Sequence, residues 1–325
     1  MNRSLILGTR GSKLALAQSE MMAATLRSLH PGLAVELRVI STQGDRVLDV
    51  ALSAVGDKGL FVKELEQALL ANEVDFCVHS CKDLPSQLPE GLTLAAFPER
   101  ADPRDIIVSP LKEQGQALDL TNLRQGAVVG TSSLRRACQL RALRPDLELR
   151  DVRGNVDTRL RKLAEGQYEA LVLATAGLVR LGLLQSDGTL TSDGTTFVGH
   201  ALAAEQMLPA VAQGSLAIEC RADDATTLAL LAPLDHAATR AAALAERAFL
   251  RRLEGGCQVP IAAYAKLADD VLTLRGLVGS LDGTTIVRGE HKGSTSEAEA
   301  MGTALAEALI AQGAERILAE LASSR

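Results

Sequence analysis

Two stretches of the chain share one pattern, in which a short apolar strand is followed by Gly-Thr, a few polar or basic residues, and a helix. The first is "LGTRGSKLALAQ" at 7–18 and the second is "VGTSSLRRACQ" at 129–139. Further strand-like and helix-like segments alternate after each, which predicts parallel sheets with helices on both faces. The repetition therefore predicts two doubly wound α/β lobes.

Both turns are also candidate anion sites. A turn between a strand and a helix aims backbone N–H groups and hydroxyls at the space beyond the strand, where open α/β sheets bind ligands. One such turn could be an ordinary helix cap, because Ser and Thr are common at that position. Two of them, opening two lobes, indicate a cleft with an anion site on each wall.

The pattern changes in the last third of the chain. A long helix ends at "LEGG", three strands follow as an antiparallel meander with "LDGT" as a turn, and two helices are joined at Gly313. We predict a periplasmic-binding-protein-like pair of lobes, plus a C-terminal α+β domain with a three-stranded antiparallel sheet. The predicted divisions are 1–102 with 205–222 for the first lobe, 103–204 for the second, and 223–325 for the C-terminal domain.

Composition and the length of the apolar runs argue against two classes of partner. The formal net charge is −6 and aromatic residues make up 2%, which argues against nucleic-acid binding. No apolar run approaches the length of a membrane span, and the short apolar run after Arg3 is too brief for a signal-peptide core. We therefore expect a cytoplasmic protein that binds neither nucleic acid nor membrane, and we expect a monomer.

Arginine is concentrated in one part of the chain. The sequence has 26 Arg against 8 Lys, and eight of the Arg lie between residues 135 and 161. Because a guanidinium binds carboxylates or phosphates through two parallel hydrogen bonds, the cluster predicts a small polyanionic ligand. Some of the eight could equally lie on a solvated helix face.

The five cysteines are an odd number without an export signal, which argues against a disulfide framework. Cys77, His79 and Cys81 alternate in "CVHSCKD" and would share one face of a strand, as zinc ligands could. A buried strand with small side chains explains the same pattern. Since no partner Cys or His pair follows, we expect no metal.

Cys257 is the unusual cysteine. It stands in "LEGGCQVP", behind two glycines and ahead of Pro260, which excludes a regular helix or central strand and predicts a loop. "HSCKDLP" adds Lys82 and Asp83 directly after a strand, where side chains reach the crevice of an open sheet. An Asp before Leu-Pro could also be a simple turn residue. Together these segments predict an exposed thiol beside an arginine-rich cleft.

Six segments carry a family resemblance. "RGSKLALAQ", "VGDKGLFVKELE", "VHSCKDLP", "GTSSLRR", "VRGNVDTRL" and "LEGGCQVP" resemble, in order and spacing, the porphobilinogen deaminase (hydroxymethylbilane synthase) family. The resemblance runs from Leu7 to the C-terminal helices. It departs at "PAVAQG", where the family usually has Gly in place of Ala212, and "SPLKEQGQALDLTN" looks longer than is common.

The resemblance implies a transferase of tetrapyrrole biosynthesis. Such enzymes join four porphobilinogen molecules head to tail into hydroxymethylbilane and release ammonia, on a dipyrromethane cofactor held by a cysteine thioether. By motif match, Cys257 carries the cofactor and Asp83 is catalytic. Each pyrrole bears an acetate and a propionate, so the growing chain explains the arginines.

Motif matches imply two further sets of residues. Those that hold the cofactor are Ser80, Lys82, Asp83, Thr131, Ser133, Arg135, Arg136, Arg153 and Gly154. Those that hold the incoming substrate are Arg10, Ser12, Gln18, Lys58, Arg153, Asn155, Arg159, Arg180 and Gln213. The remaining arginines of the cluster are interpreted as surface residues: Arg141, Arg144, Arg150 and Arg161.

Two other classes stay open on the residues alone. A solute-binding protein would have the same two lobes and anion cleft, although the third domain and its exposed cysteine argue against it. A cysteine acyl transferase would need a His in a recognisable partner motif, and none is found. An intact-mass measurement distinguishes all three.

Overall fold

The computed structural model describes residues 4–42, 61–111, 118–253 and 259–323, which form three sheets with helices packed against them. The first sheet has five strands in the spatial order β2-β1-β3-β11-β4. Its strands are β1 (Ser4–Thr9), β2 (Ala34–Val39), β3 (Phe76–Ser80), β4 (Leu92–Ala96) and β11 (Leu216–Arg221).

The second sheet has six strands in the order β7-β6-β8-β5-β10-β9. They are β5 (Asp105–Pro110), β6 (Val128–Gly130), β7 (Glu148–Arg150), β8 (Ala170–Ala174), β9 (Thr189–Ser192) and β10 (Thr195–Ala201). The chain thus leaves the first sheet after β4 and returns to it with β11. This confirms the predicted pair of α/β lobes, while the residue boundaries of the domains stay a prediction.

Nine helices are present in the described residues. They are α1 (Lys13–Leu29), α2 (Lys63–Leu70), α3 (Leu134–Leu143), α4 (Val156–Ala164), α5 (Thr175–Arg180), α6 (Ala225–Leu231), α7 (Ala237–Arg252), α8 (Ala298–Leu309) and α9 (Glu315–Ser323). None of these is both long enough and apolar enough to cross a bilayer.

Both sheets contain parallel and antiparallel strand pairs. The prediction of parallel sheets, made from the strand–helix alternation, is therefore wrong in this respect. β1 is parallel to β2 and β3, but β11 is antiparallel to β3 and β4. Likewise β6 is parallel to β7 and β8, but β5 is antiparallel to β8 and β10. Strands β5 and β11 each directly follow a crossing between the lobes, and the crossing chain enters the other sheet from the opposite end.

The C-terminal domain confirms the predicted meander. Its strands β12 (Ile261–Ala268), β13 (Val271–Gly279) and β14 (Ile286–Gly293) are all antiparallel. Asp269 and Asp270 join the first two with φ values of 49° and 61°, the left-handed pair that a two-residue hairpin requires. Gly313, with φ of 105°, separates α8 from α9 as predicted.

One carboxylate of the C-terminal domain holds both crossings between the lobes. Glu246 on α7 is fully buried and accepts hydrogen bonds from Arg100 Nη1 at 2.6 Å and Nη2 at 3.2 Å. It also accepts the backbone N–H groups of Ala212 and Ala265. Because Arg100 lies on the first crossing and Ala212 on the second, Glu246 fixes the two segments that position the lobes.

Ala212 is the departure from the family pattern noted in the sequence. It is fully buried with φ of 56°, a left-handed conformation that costs an L-residue roughly 1–2 kcal/mol and glycine almost nothing. The backbone at this crossing therefore explains why glycine is favoured there. No charged side chain of the cleft is replaced by the change.

A buried group of two carboxylates and one imidazole links α2 to the first sheet. His79 Nε2 lies 2.9 Å from Glu219 Oε2, and both side chains are almost inaccessible. Glu66 is 7% exposed, and its Oε1 is buried without a hydrogen-bond partner among the described residues. Burial and the charge of Glu219 raise the pKa of Glu66 to about 7.

We expect Glu66→Gln to stabilise the protein above neutral pH. The raised pKa means that the folded state holds the proton of Glu66 more tightly, so its contribution is full below about pH 4.5 and lost as the pH rises to about 7. At pH 8 the variant should gain up to about 3 kcal/mol in unfolding free energy. Urea titrations between pH 4 and 8 measure this, with exposed Glu73→Gln as the control; a gain that does not depend on pH would contradict it.

Candidate active site

A cleft of about 860 Å³ lies between the first two sheets, and both Gly-Thr turns open onto it. Its described lining includes predicted residues from both lobes. These are Arg10, Ser12, Gln18, Ser80, Lys82, Asp83, Arg136, Arg153, Gly154, Asn155, Arg159, Arg180 and Gln213. The structure therefore brings most of the predicted binding residues together.

The wall on the first lobe is built from the first turn and the end of β3. Ser12 caps α1 by accepting the N–H of Ala15 at 3.2 Å, which fixes the turn. The guanidinium of Arg10 lies 4.3 Å from the ring centre of Phe61, a cation–π contact. Gln18 and Ser80 share a hydrogen bond of 3.0 Å. The side chains of these four polar residues are thus held by their neighbours.

Asp83 and Lys82 follow β3 directly. The strand ends at Ser80 and a single 3-10 turn spans Cys81–Asp83, which turns both charged side chains toward the cleft. Asp83 is exposed there. Burial, opposed in part by Asp83, lowers the pKa of Lys82 to about 8. The site thus pairs an accessible carboxylate with a cation that is held partly away from water.

The second turn differs in detail from the sequence prediction. Thr131 Oγ1 accepts the N–H of Ser133, and Ser133 Oγ accepts the N–H of Arg136, so both hydroxyls cap their own turn. Neither residue lines the cleft, whereas Ser132 between them does. Ser132 Oγ accepts the N–H of Val152 at 3.0 Å. Side chains alternate along the turn, and this alternation could have indicated Ser132 from the sequence.

Arg135 and Arg136 have different surroundings although they are adjacent in sequence. Arg136 lines the cleft and Arg135 does not. Arg135 is 5% exposed, and its Nη1 donates to Asp105 Oδ2 at 2.7 Å and to the carbonyl of Leu208 at 2.8 Å. The direct cofactor contact predicted for Arg135 has no support in this geometry. Asp105 was not singled out from the sequence.

The "VRGNVDTRL" segment supplies two further arginines at the start of α4. Gly154 has φ of 103°, and an added Cβ would lie 2.7 Å from Thr158, so this turn requires glycine. Arg159 Nε donates to the carbonyl of Gly154 at 2.8 Å. Burial and neighbouring arginines lower the pKa of Arg159 to about 10. Arg153 and Asn155 line the cleft beside it.

Arg180 and Gln213 complete the floor of the cleft. Arg180 Nη2 donates to the carbonyl of Gly214 at 2.6 Å, and burial lowers its pKa to about 10. Gln213 is 1% exposed and donates through Nε2 to the Pro103 carbonyl at 2.8 Å and to Asp105 Oδ1 at 2.9 Å. Its Oε1 is buried without a partner among the described residues. The second crossing thus reaches the cleft through Gln213.

The cleft also has an ion pair at its mouth, which was not predicted from the sequence. Lys13 Nζ lies 3.0 Å from Asp157 Oδ2 and joins the start of α1 to the start of α4. Both residues line the cleft, and Asp193 lies nearby on the same rim. The pair is well exposed, so salt screens it. Lys13 and Asp157 each lie within one of the six motifs, but neither motif indicates that the two side chains pair across the cleft.

Charge is the dominant property of the cleft. Its described lining includes seven basic side chains and three acidic ones, a formal excess of four positive charges, although the whole chain is acidic. Cations that are partly withdrawn from water bind an incoming anion strongly, because less hydration is lost on binding. The arrangement can therefore bind a ligand with several carboxylates.

Four of the five cysteines lie among the residues that the structure describes. Cys77, Cys81, Cys138 and Cys220 are buried free thiols, and burial raises the pKa of each above its usual value. No cluster of metal-binding side chains occurs in 4–42, 61–111, 118–253 and 259–323. Cys257 and Lys58 lie outside the described residues.

Comparison with known proteins decides the family. Residues 5–229 match the model of the "Porphobilinogen deaminase, dipyromethane cofactor binding domain", and residues 240–311 match the "Porphobilinogen deaminase, C-terminal domain". The chain belongs to the porphobilinogen deaminase family.

Relatives support this over the full length. Porphobilinogen deaminases of Roseiflexus sp. (strain RS-1) and Roseiflexus castenholzii (strain DSM 13941 / HLO8) are each 54% identical over 319 residues, 98% of this chain and all of theirs. Among solved structures, the VFT2 domain of Bordetella pertussis BvgS (double mutant F375E/Q461E) is 15% identical, with a TM-score of 0.40 over 71% of this chain and 86% of that one.

Family membership confirms the function predicted from the six motifs. The protein is a transferase of tetrapyrrole biosynthesis that uses porphobilinogen and a dipyrromethane cofactor to make hydroxymethylbilane. A porphobilinogen deaminase needs to hold many carboxylates at once, which explains the cationic cleft in an acidic chain. The solute-binding and acyl-transferase alternatives are excluded.

Proposed function

We propose that Asp83 is the catalytic residue of this cleft and that Cys257 carries the cofactor. The observation behind the first role is the position of Asp83, which is exposed to the cleft directly after β3 and beside Lys82. The second role follows from the motif around Cys257. None of the four described cysteines suits this role, because all four are buried.

A fixed carboxylate at Asp83 suits both halves of the reaction. Loss of ammonia from porphobilinogen creates a cationic azafulvene, and Asp83 stabilises that charge as it develops. After carbon–carbon coupling, the same carboxylate can accept the proton that the pyrrole ring loses. When bound, the dipyrromethane supplies the pyrrole carbon to which the first substrate is joined.

The cleft fits a dipyrromethane by its donor set. Two pyrroles with an acetate and a propionate each present four carboxylates, and guanidinium or ammonium groups line both walls. We assign Lys82, Arg136, Arg153, Ser80 and Gly154 to the cofactor. We assign the incoming ring to Arg10, Ser12, Gln18, Asn155, Arg159, Arg180 and Gln213, with Lys58 as a further contact. Thr131 and Ser133 act by shaping the second turn.

These assignments separate the arginines by step. We expect Arg136→Leu to accumulate without cofactor, because it removes a bidentate carboxylate contact on the dipyrromethane. Arg10→Leu and Arg180→Leu should carry the cofactor but stall after porphobilinogen is added. Arg→Lys should rescue each only in part, since an ammonium keeps the charge and loses the fork.

Two measurements test this division. Cofactor is detected with an acidic aldehyde reagent, and enzyme–intermediate complexes are separated on native gels after porphobilinogen is added. Arg150→Leu is the matched control, since Arg150 is half exposed and pairs with Glu148 away from the cleft. If the Arg136 and Arg180 variants behave alike in both measurements, the division is wrong even though the family stands.

The lowered pKa of Lys82 predicts that carboxylate binding depends on pH. Its pKa of about 8 means that the ammonium is present below that pH and is lost as the pH rises through it. We expect the Cys257→Ser protein to bind a free tetracarboxylate dipyrromethane less tightly as the pH rises above about 8. Adding Lys82→Gln should weaken binding about tenfold at pH 7 and remove that decline. Calorimetric titration at several pH values measures both, and equal pH profiles would contradict the role.

We also propose that the protein works as a cytoplasmic monomer. The free thiols at the four described cysteines suit a reducing compartment. The cleft is lined from both lobes of a single chain, so a second copy is not required to complete it. Light scattering during size-exclusion chromatography tests the monomer, and a stable dimer would contradict it.

A further inference from the structure

A buried cluster lies directly behind the cleft at the junction of the two crossings. It consists of one carboxylate, Asp105 at the start of β5, two guanidiniums, Arg135 and Arg136 on α3, and the amide of Gln213. All four residues are at most 7% exposed, and Asp105 is fully buried. Only Arg136 and Gln213 of the four also line the cleft.

Asp105 determines which N–H groups of Arg136 remain available to a ligand. Oδ1 of Asp105 accepts Nε at 3.0 Å and Nη2 at 2.8 Å, and Nη1 donates to the carbonyl of Val172 at 2.8 Å. A guanidinium has five N–H groups, so one remains on each terminal nitrogen. That pair of donors is what a ligand carboxylate needs for a two-point contact.

Arg135 is bound from the opposite side of the same carboxylate. Its Nη1 donates to Asp105 Oδ2 at 2.7 Å, and its Nη2 lies 3.2 Å from Oδ1. Nη1 also donates to the Leu208 carbonyl, which accepts Gln139 Nε2 as well. Arg135 thus faces the second crossing and supports the carboxylate that orients Arg136.

The charges of the cluster do not cancel. Burial would raise the pKa of Asp105, but the two guanidiniums hold it well below its usual range, so Asp105 is ionised. One anion between two cations leaves one positive charge, which is directed at the cleft through Arg136. Without the carboxylate, two adjacent guanidiniums would repel each other in a poorly hydrated site.

We propose that Asp105 is a positioning residue for cofactor binding: it holds Arg136 and Gln213 in the orientation that receives a ligand carboxylate, with Arg135 as its supporting counter-ion. This inference rests on the proposed role of Arg136 toward the cofactor. It assigns Arg135 an indirect role, in place of the direct contact that its motif indicated. Asp105 itself is fully buried and does not line the cleft.

If Asp105 acted only through its charge, two variants would carry the cofactor in the opposite order from the one that a positioning role predicts. Arg135→Gln removes the excess positive charge but leaves Asp105 to orient Arg136. Asp105→Asn combined with Arg135→Gln restores the native net charge but removes the carboxylate that orients Arg136. The two differ at a single position, so each is the matched control of the other.

The experiment measures the fraction of purified full-length chains that carry the cofactor, by intact mass, and the melting temperature of each variant. We expect Arg135→Gln to carry the cofactor on about tenfold more chains than the double variant, which loses an oriented charge-assisted contact. Equal loading, or better loading of the double variant, would overturn the positioning role. Melting temperatures show whether a difference in loading comes from folding.

A double variant that does not fold is replaced by Asp105→Glu, which keeps both arginines and the charge but moves the carboxylate by one methylene. Loading about tenfold below the unsubstituted chain supports the proposal, and unchanged loading contradicts it. Failure of Asp105→Glu to fold as well would also contradict it, because the role would then be in folding alone. An unsubstituted chain without cofactor would instead contradict the proposed function.

Discussion

Replacing Asp83 by Asn should reduce turnover at least about a hundredfold while leaving the cofactor in place. Asn keeps the shape and loses the charge, and the loss of one preorganised electrostatic group at a transition state costs on the order of 3 kcal/mol. Cofactor binding should survive because the arginines and Lys82 remain. Single-turnover rates, normalised to the fraction of chains with cofactor, measure the effect.

Asp193→Asn is the control for the loss of one negative charge in the cleft. Asp193 lines the rim, and no catalytic role is assigned to it. We expect its rate to stay within about threefold of the unsubstituted enzyme, as surface electrostatics allow. Near-full activity of Asp83→Asn would reduce Asp83 to a turn residue. An equal loss in both variants would point to overall charge instead of a specific carboxylate.

Replacing Cys257 by Ser should yield a folded protein without covalent cofactor and without turnover. A thiolate is a far better nucleophile and thioether former than a hydroxyl at neutral pH. Intact-mass spectrometry should find the unsubstituted chain heavier than its sequence by one dipyrromethane and the variant at its sequence mass. Peptide mapping should place the added mass at residue 257.

Alanine at each of the other four cysteines provides the control. Cys77, Cys81, Cys138 and Cys220 are buried, so we expect at most modest losses of stability and full cofactor content. Retention of the added mass by Cys257→Ser would contradict the attachment site. Loss of the cofactor from one of the four alanine variants, with folding intact, would place the attachment elsewhere.

The overall architecture could be predicted because it rests on local signals. The repeated Gly-Thr turns, the strand–helix alternation and the C-terminal meander each correspond to elements of the structure. Strand direction in β5 and β11 could not be predicted, because it depends on how the chain crosses between the lobes. Alternation along a sequence shows that a strand exists but not from which end it enters its sheet.

Most residues of the site could be predicted from the sequence, but the hydrogen-bond and ion-pair partners of those residues could not. Arg135 and Arg136 have the same motif and the same chemistry, yet only Arg136 lines the cleft. Arg135 instead donates to the buried Asp105, which lies 30 residues away in sequence and was not singled out from the sequence. A buried ion pair of this kind depends on tertiary packing, which no local pattern of the chain records.

Native mass spectrometry of the holoenzyme during a limited addition of porphobilinogen tests the central claim most directly. The claim is that one cleft on one chain holds a dipyrromethane at Cys257 and extends it one ring at a time. The account predicts a starting species with one dipyrromethane per chain, then a ladder of covalent species with one to four added pyrrole units, and return to the starting mass as hydroxymethylbilane is released. Turnover by chains at the bare sequence mass, with no ladder, would contradict it.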